Sequence, residues 1–422
     1  MTLAAFTDRR LIQASETTTR HLLVEVAAPA APPRDAAFPR PPVAVALVLD
    51  RSGSMGGEKI TLVREAAKQA IERLLPTDRF AVVIYDDVVT CLAPTTLATA
   101  AHKAHVMALI DTVEARASTN LSGGWFAGVD QLRAADLAGI RRALLLTDGL
   151  ANGGITDPDR LSACAEQFRG QGIMTTTFGV GADFDEHLLV QLAKSGGGNF
   201  YFIEHAAQIP ELLAGEVGDA LDVVLPQAEL QLRTPASVRV RTLDGRPCRR
   251  TDEGWAVALG DLVSLQETSI VLAVEIAPGP MGEVLGVQVT LQAANGMLVT
   301  MPEPIVWMRA APDEVRTQPR DIRVDRATAA AYASQARIEA TRLNRDGDLA
   351  AAGEIQRRTA RRILSYAGDD TSLQALGTTL GAEAESYAEA QLSPLELKRA
   401  MFAAHSDRES RDATGRPRRR RE

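Results

Sequence analysis

Cysteine is scarce in this chain: three occur among 422 residues, Cys91, Cys164 and Cys248, far apart and odd in number. They make neither a disulfide framework nor a zinc motif, and they suit a reducing compartment. No apolar run approaches the roughly 20 residues needed to span a bilayer. The opening MTLAAFTDRRLIQ meets charge after a few residues and lacks an apolar stretch long enough for export, so a cytoplasmic location is expected. Excess positive charge is missing too. A net charge of −8 argues against electrostatic nucleic-acid binding by the chain as a whole. Only the end, RPRRRRE, is basic, and so short a run is expected to be a generic solvated feature. The six histidines are scattered, none at ligand spacing from another histidine or a cysteine, so no zinc pattern exists.

What is present is ordinary for soluble globular protein: 45% hydrophobic and 24% charged residues, at a length that suggests two or three domains. HLLVEVAA (21–28) reads as a strand, and the proline-rich APAAPPRDAAFPRPP follows it. From Val43 strands and helices alternate. VAVALVL is continuously apolar, as a parallel strand covered on both faces should be. KITLVREAAKQAIERLL repeats apolar residues at helical spacing until Pro76. The alternation predicts an α/β, doubly wound domain over 43–224 with right-handed crossovers. Residues 225–312 switch to short alternating strands, as in a β-sandwich. The isolated N-terminal strand in 1–42 would lack a partner in the α/β domain and is expected to join this sandwich, which makes the α/β domain an insertion. Residues 313–405 are expected to be helical, with one turn at Arg345–Asp348 and a cap at Ser393-Pro394, and 406–422 to form a disordered basic tail.

One stretch decides most of the function. LVLDRSGSMG (47–56) ends an apolar strand on Asp50 and presents Ser52 and Ser54 in a glycine-rich turn. GSMGGEKIT fails the phosphate-loop pattern on both sides of Lys59, and a glutamate there would repel phosphate. An aspartyl phosphotransferase of the D-x-D kind needs a second aspartate where Ser52 stands. FGVGADF (178–184) lacks the third glycine of a dinucleotide fingerprint. Metal binding suits the residues better. A hard cation such as Mg²⁺ takes about six oxygens. Asp50 supplies charge, and the alternating Ser52 and Ser54 hydroxyls can point the same way. Thr119, in RASTNLSGG before a helix, offers a further hydroxyl, and Asp148, in LLLTDG, a carboxylate at the end of a neighbouring strand. In an open α/β sheet such ends share one ligand-binding rim.

These five positions, in this order and context, resemble the von Willebrand factor A domain family, whose metal-ion-dependent adhesion site has the form D-x-S-x-S plus a distant threonine and aspartate. The resemblance covers about 43–224, and STN replaces the commoner G-T-N context. It implies that Asp50, Ser52, Ser54, Thr119 and Asp148 hold Mg²⁺, with Mn²⁺ and Ca²⁺ left open. It implies also that a protein partner's Asp or Glu completes the metal's shell, without catalysis. AAA+ ATPases and signalling enzymes are the partner class suggested by similar bacterial proteins. Two alternatives stand beside this: a metal-dependent phosphoester hydrolase, and a metal that merely stiffens the rim. Elsewhere, Asp86 and Asp87 are expected to form a hairpin turn, and Asp183, Asp185 and Glu186 to start a helix. Ser122 is expected at a helix N-terminus, and Trp125 is divided evenly between the metal rim and the core.

Overall fold

The structure is a computed structural model describing residues 1–32, 40–116, 118–135, 139–408, 411–412 and 414–420. Residues 33–39 of the proline-rich stretch after the first strands lie outside the described residues. The chain divides into two compact units, Ala31–Val223 and Met1–Ala30 with Val224–Glu422.

The chain begins with strands Thr2–Thr7 (β1), Leu11–Gln13 (β2) and Thr18–Ala27 (β3), which belong to the second of these units. The α/β unit then contributes β4 (Val43–Asp50), α1 (Glu58–Glu72), β5 (Arg79–Tyr85), β6 (Val89–Leu97), α2 (Ala100–Asp111), α3 (Leu121–Arg133), β7 (Ile140–Thr147), α4 (Pro158–Gly170), β8 (Ile173–Val180), α5 (Glu186–Gly196), β9 (Gly197–Ile203) and α6 (Ile209–Leu221). Its sheet runs in the order β6-β5-β4-β7-β8-β9, parallel except for the antiparallel edge strand β6. All of β4 is buried. Val45, Leu47 and Leu49 share a core with Val63, Ala67 and Ile71 of α1, Val106 of α2 and Val217 of α6, while α3 packs on the same strand as well. Alternation within a strand and helices on both faces explain why the run VAVALVL contains no polar residue.

The order of strands reverses at β4, with β5 on one side and β7 on the other. Loops leaving the carboxyl ends of β4 and β7 therefore diverge at a topological switch point, where open sheets bind ligands. Two glycines shape this rim. Gly57, at φ +76°, turns the chain into α1 in a conformation that L side chains rarely adopt. Gly124 lets the first turn of α3 lie against the buried ring of Tyr85, where a Cβ would come within 2.5 Å of ring carbons. Tyr85 in turn donates its hydroxyl to the carbonyl of Leu146 (3.0 Å), next to the rim.

The second unit adds β10 (Val223–Arg233), β11 (Val238–Thr242), β12 (Cys248–Thr251), β13 (Gly254–Val263), β14 (Glu267–Ile276), β15 (Val284–Gln292), β16 (Leu298–Thr300) and β17 (Ile305–Ala310). One sheet runs β1-β3-β14-β11 and the other β12-β13-β10-β15-β17-β2. Leu22, Val24 and Val26 of β3 pack with Ile270 and Leu272 of β14 and with Leu230, Val287 and Val289 of the other sheet, a sandwich core. The N-terminal segment thus supplies three strands, of which β2 pairs in parallel with β17. Helices α7 (Pro312–Thr317), α8 (Ile322–Arg345), α9 (Leu349–Ala367), α10 (Thr371–Glu389) and α11 (Pro394–Arg408) follow. Val324 and Tyr332 of α8 cover Leu23, Val271 and Ala273 on the outer face of the first sheet. Of the residues expected in a disordered tail, several of the described ones carry backbone hydrogen bonds. Glu267 donates its N–H to the Arg418 carbonyl and Arg420 to that of Leu265, since the start of β14 leaves those groups open.

Replacing Gly124 by Ala forces Tyr85 to move or α3 to lift. We expect a loss of about 1–3 kcal/mol in chemical denaturation, as for overpacking elsewhere; an unchanged midpoint would contradict the close approach described above.

Candidate metal centre

Four of the five sequence-expected positions form one polar path at the switch point. Asp50 has no solvent exposure. One of its oxygens accepts the backbone N–H of Ser52 (2.7 Å) and the other the hydroxyl of Thr147 (2.6 Å). The Ser52 and Ser54 hydroxyls are 3.2 Å apart, and Ser54 donates to Oδ1 of the fully buried Asp148 (2.6 Å). Thr119, the fifth, is also buried. A Cβ placed on Gly149 would lie 3.4 Å from the Thr119 hydroxyl and 3.9 Å from that of Ser54, so the three residues crowd one spot. The carbonyl of Thr119 accepts the N–H groups of Asn152 and Gly153, which ties its loop to the segment after β7.

The donor set is two carboxylates and three hydroxyls, all hard oxygens, which fits a hard divalent cation. Among the described residues no three His, Cys, Asp or Glu side chains converge as metal ligands; the oxygen set here depends on hydroxyls instead. Burial raises the pKa of Asp50 to about 6, against the hydrogen bonds from Thr147 and Ser52 and with the negative charge of Asp148 adding to the rise.

Three residues that the five-position motif does not contain complete the rim. Thr147 caps Asp50. Lys59, on the first turn of α1, sets its ammonium 2.5 Å from Oδ2 of Asp148. Asp86, at the end of β5, does begin the turn into β6, but its carboxylate is buried beneath two guanidinium groups. Arg116 donates to it (2.6 Å), Arg51 forms an ion pair at 3.0 Å, and the Val88 N–H is 2.7 Å away. Burial acts to raise its pKa, but the hydrogen bonds of Arg116 and Val88 and the charge of Arg51 outweigh it and hold Asp86 below the ordinary carboxylate range. Its backbone carbonyl also accepts the N–H of Asn120 (2.8 Å), and the Arg51 carbonyl that of Arg116 (2.7 Å). Asp86 therefore locks the Asp50 loop to the Thr119 loop. Its placement after an apolar parallel strand, like that of Asp50, was the available signal.

The remaining expectations resolve simply. Asp185 caps α5 by accepting the N–H groups of His187 and Leu188. Ser122 accepts the N–H of Ile155 (2.8 Å). Trp125 is core, edge-on to Phe168 and donating to Thr175 (3.2 Å), and takes no part in the rim.

Residues 44–214 match the von Willebrand factor type A domain family. This segment is a von Willebrand factor type A domain. Such domains are generally protein–protein interaction modules, and they commonly bind a divalent metal. The chain is 31% identical over 188 residues to the uncharacterized protein YfbK of Escherichia coli, a stretch making up 44% of this chain and 32% of YfbK. It is 27% identical over 276 residues to the uncharacterized protein sll0103 of Synechocystis, 63% of this chain and 64% of that protein. The chain thus spans about a third of the first relative and just under two thirds of the second. A von Willebrand factor type A structure from Catenulispora acidiphila has the same fold, with a TM-score of 0.73, 19% identity, and coverage of 99% of this chain and 97% of that one. No helix among the described residues is long and apolar enough to cross a membrane.

A carboxyl whose folded pKa lies above its unfolded value of 3.8 stabilises the fold fully only below that value, and the contribution is lost as pH rises through 6. Asp50→Asn should therefore stabilise the EDTA-treated von Willebrand factor type A domain at pH 7.5 by on the order of 2 kcal/mol. Thermal melts across pH 4–8 check this, and equal stability of the two proteins at pH 7.5 would count against it. Asp86→Ala leaves Arg51 and Arg116 facing an empty site; we expect about 1–3 kcal/mol of destabilisation in urea, moderated by the exposure of Arg116.

Proposed function

We propose that the rim of the von Willebrand factor type A domain is a Mg²⁺-dependent protein-recognition site, with Asp50, Ser52, Ser54, Thr119 and Asp148 as the residues that would hold the ion. The observation that carries this reading is the continuous contact from Ser52 through Ser54 to Asp148, 3.2 Å and then 2.6 Å, beside a buried Asp50. Residues from two strand-end loops separated by more than ninety positions meet there through short oxygen side chains.

The ion, when bound, supplies a Lewis-acidic position for a partner's Asp or Glu carboxylate. The chain's own residues do the rest. Asp50 and Asp148 provide two negative charges where solvent is excluded, and Thr147 orients Asp50. Three neutral hydroxyls bring the protein's share to five oxygen side chains without adding charge, one short of the six oxygens that Mg²⁺ takes, which leaves a position for the partner. Ser54 is exposed, which leaves the path open to an incoming surface. Recognition is favoured over hydrolysis because the cations nearest in sequence, Arg51 and Lys59, are engaged by Asp86 and Asp148. The sandwich and helices would serve as scaffold or further docking surface. An AAA+ ATPase or a signalling enzyme in the cytoplasm is the partner class we favour.

Calorimetry with MgCl₂ and affinity capture from native lysate test the reading together. Wild type should bind Mg²⁺ and retain a partner that EDTA releases, and Asp50→Ala and Ser52→Ala should lose both by roughly ten-fold or more, as expected when a charge-assisted ligand is removed. Identical partner sets with Mg²⁺ and EDTA would overturn metal-bridged recognition. Sustained phosphoester turnover abolished by Asp50→Ala would establish the hydrolase instead.

A further inference from the structure

Lys59 is a lysine pointed into a site meant for a cation. Its backbone sits on the first turn of α1, and its ammonium crosses to Oδ2 of Asp148 at 2.5 Å while Ser54 occupies Oδ1. Both oxygens of Asp148 are thus engaged. The ammonium also approaches the loop after β8, lying 3.7 Å from where a Gly181 Cβ would be. Asp148 has no exposure, whereas the Lys59 side chain keeps 28% of its surface in solvent, so this charge lies at the mouth of the site rather than beneath it. Arg51, the other cation close in sequence, is turned away onto Asp86.

We propose that Lys59 is a specificity-determining residue: a tethered counter-charge that weakens the hold of the site on its divalent ion and leaves the loaded rim positive, so that a carboxylate is the ligand it favours. This rests on the metal reading given above. Asp50, Asp148 and Lys59 together carry one net negative charge. A divalent ion turns that into one net positive charge, and a single carboxylate neutralises it. Without Lys59 the loaded rim is already neutral, the ion is held more tightly, and a carboxylate has less to gain. A merely structural Lys59 predicts the reverse for the metal. If the ammonium only positioned Asp148, its removal would loosen a ligand and weaken binding of the ion.

The test uses the full chain with Lys59→Met, Lys59→Arg and Asp50→Ala, and with Lys59→Gln as a second neutral variant should the methionine variant fold poorly. Calorimetric titration with MgCl₂ should show Lys59→Met binding the ion roughly ten-fold tighter than wild type, the size expected of a nearby charge in a partly solvated site. Lys59→Arg should stay close to wild type. In the Mn²⁺-loaded proteins, the ion's relaxation of acetate protons reports carboxylate at the metal; it should be strong in wild type and Lys59→Arg and at least several-fold weaker in Lys59→Met. Equal or weaker Mg²⁺ binding by Lys59→Met, or unchanged acetate relaxation, overturns the role of Lys59 and leaves the metal site intact. Absence of metal uptake by wild type and Asp50→Ala alike overturns the metal reading and this inference with it.

Discussion

Asp50 lies fully buried at the end of a strand that is itself covered on both faces, and the rim is arranged around that charge. A carboxylate in such a place needs donors or a cation, because water cannot reach it and the low local dielectric magnifies the cost of an unpaired charge. One backbone N–H and one threonine hydroxyl answer this in part, and its pKa remains raised. From there the polar path continues through two serines to a second carboxylate and ends on an ammonium. Each member has its partner in the next, so the loops after β4 and β7 are joined by a shared polar network, while Met55 anchors the first of them in the apolar core.

Asp86 shows the same problem solved differently one strand away. It too ends a parallel strand and is buried, but two guanidinium groups face it and its pKa is shifted down, not up. Burial is common to both aspartates, and the charge of the neighbours decides the direction. The carboxylate with permanent cationic partners serves as a structural lock. The one with only neutral donors keeps an electrostatic demand that a mobile ion can meet.

Much of the α/β architecture was legible because its signals are local: apolar runs of strand length, helical spacing with proline and glycine stops, and strand ends marked by Asp50 and Asp148. That Asp50 and Asp148 share a rim followed from topology, since the ends of parallel strands share an edge, whereas Thr119, which precedes a helix, joined them and the two serines through the resemblance to the von Willebrand factor A motif. Asp86 was legible only as a turn residue, because its partners Arg51 and Arg116 come from other loops and pairings of that range leave no periodic trace. Lys59 was visible as a cation near the motif, yet its direction depends on where Gly57 starts α1. In the sandwich, the joining of the N-terminal strand followed by elimination, since 21–28 had no parallel partner nearby. The strands Thr2–Thr7 and Leu11–Gln13 carry no strong alternation, and the three-residue parallel pairing of β2 with β17 rests on long-range register.

The pairing of β3 with β14 also sets an order of events during synthesis. Thr18–Ala27 leaves the ribosome first, but its ten-residue partner Glu267–Ile276 follows only after the whole α/β unit has emerged. The inserted unit holds its own sheet and core, so it can close while the earlier strand still waits with an unpaired, apolar edge. The nascent chain therefore passes through a stage at which one unit is complete and only Met1–Ala30 of the other has been made, and chaperone demand should concentrate there.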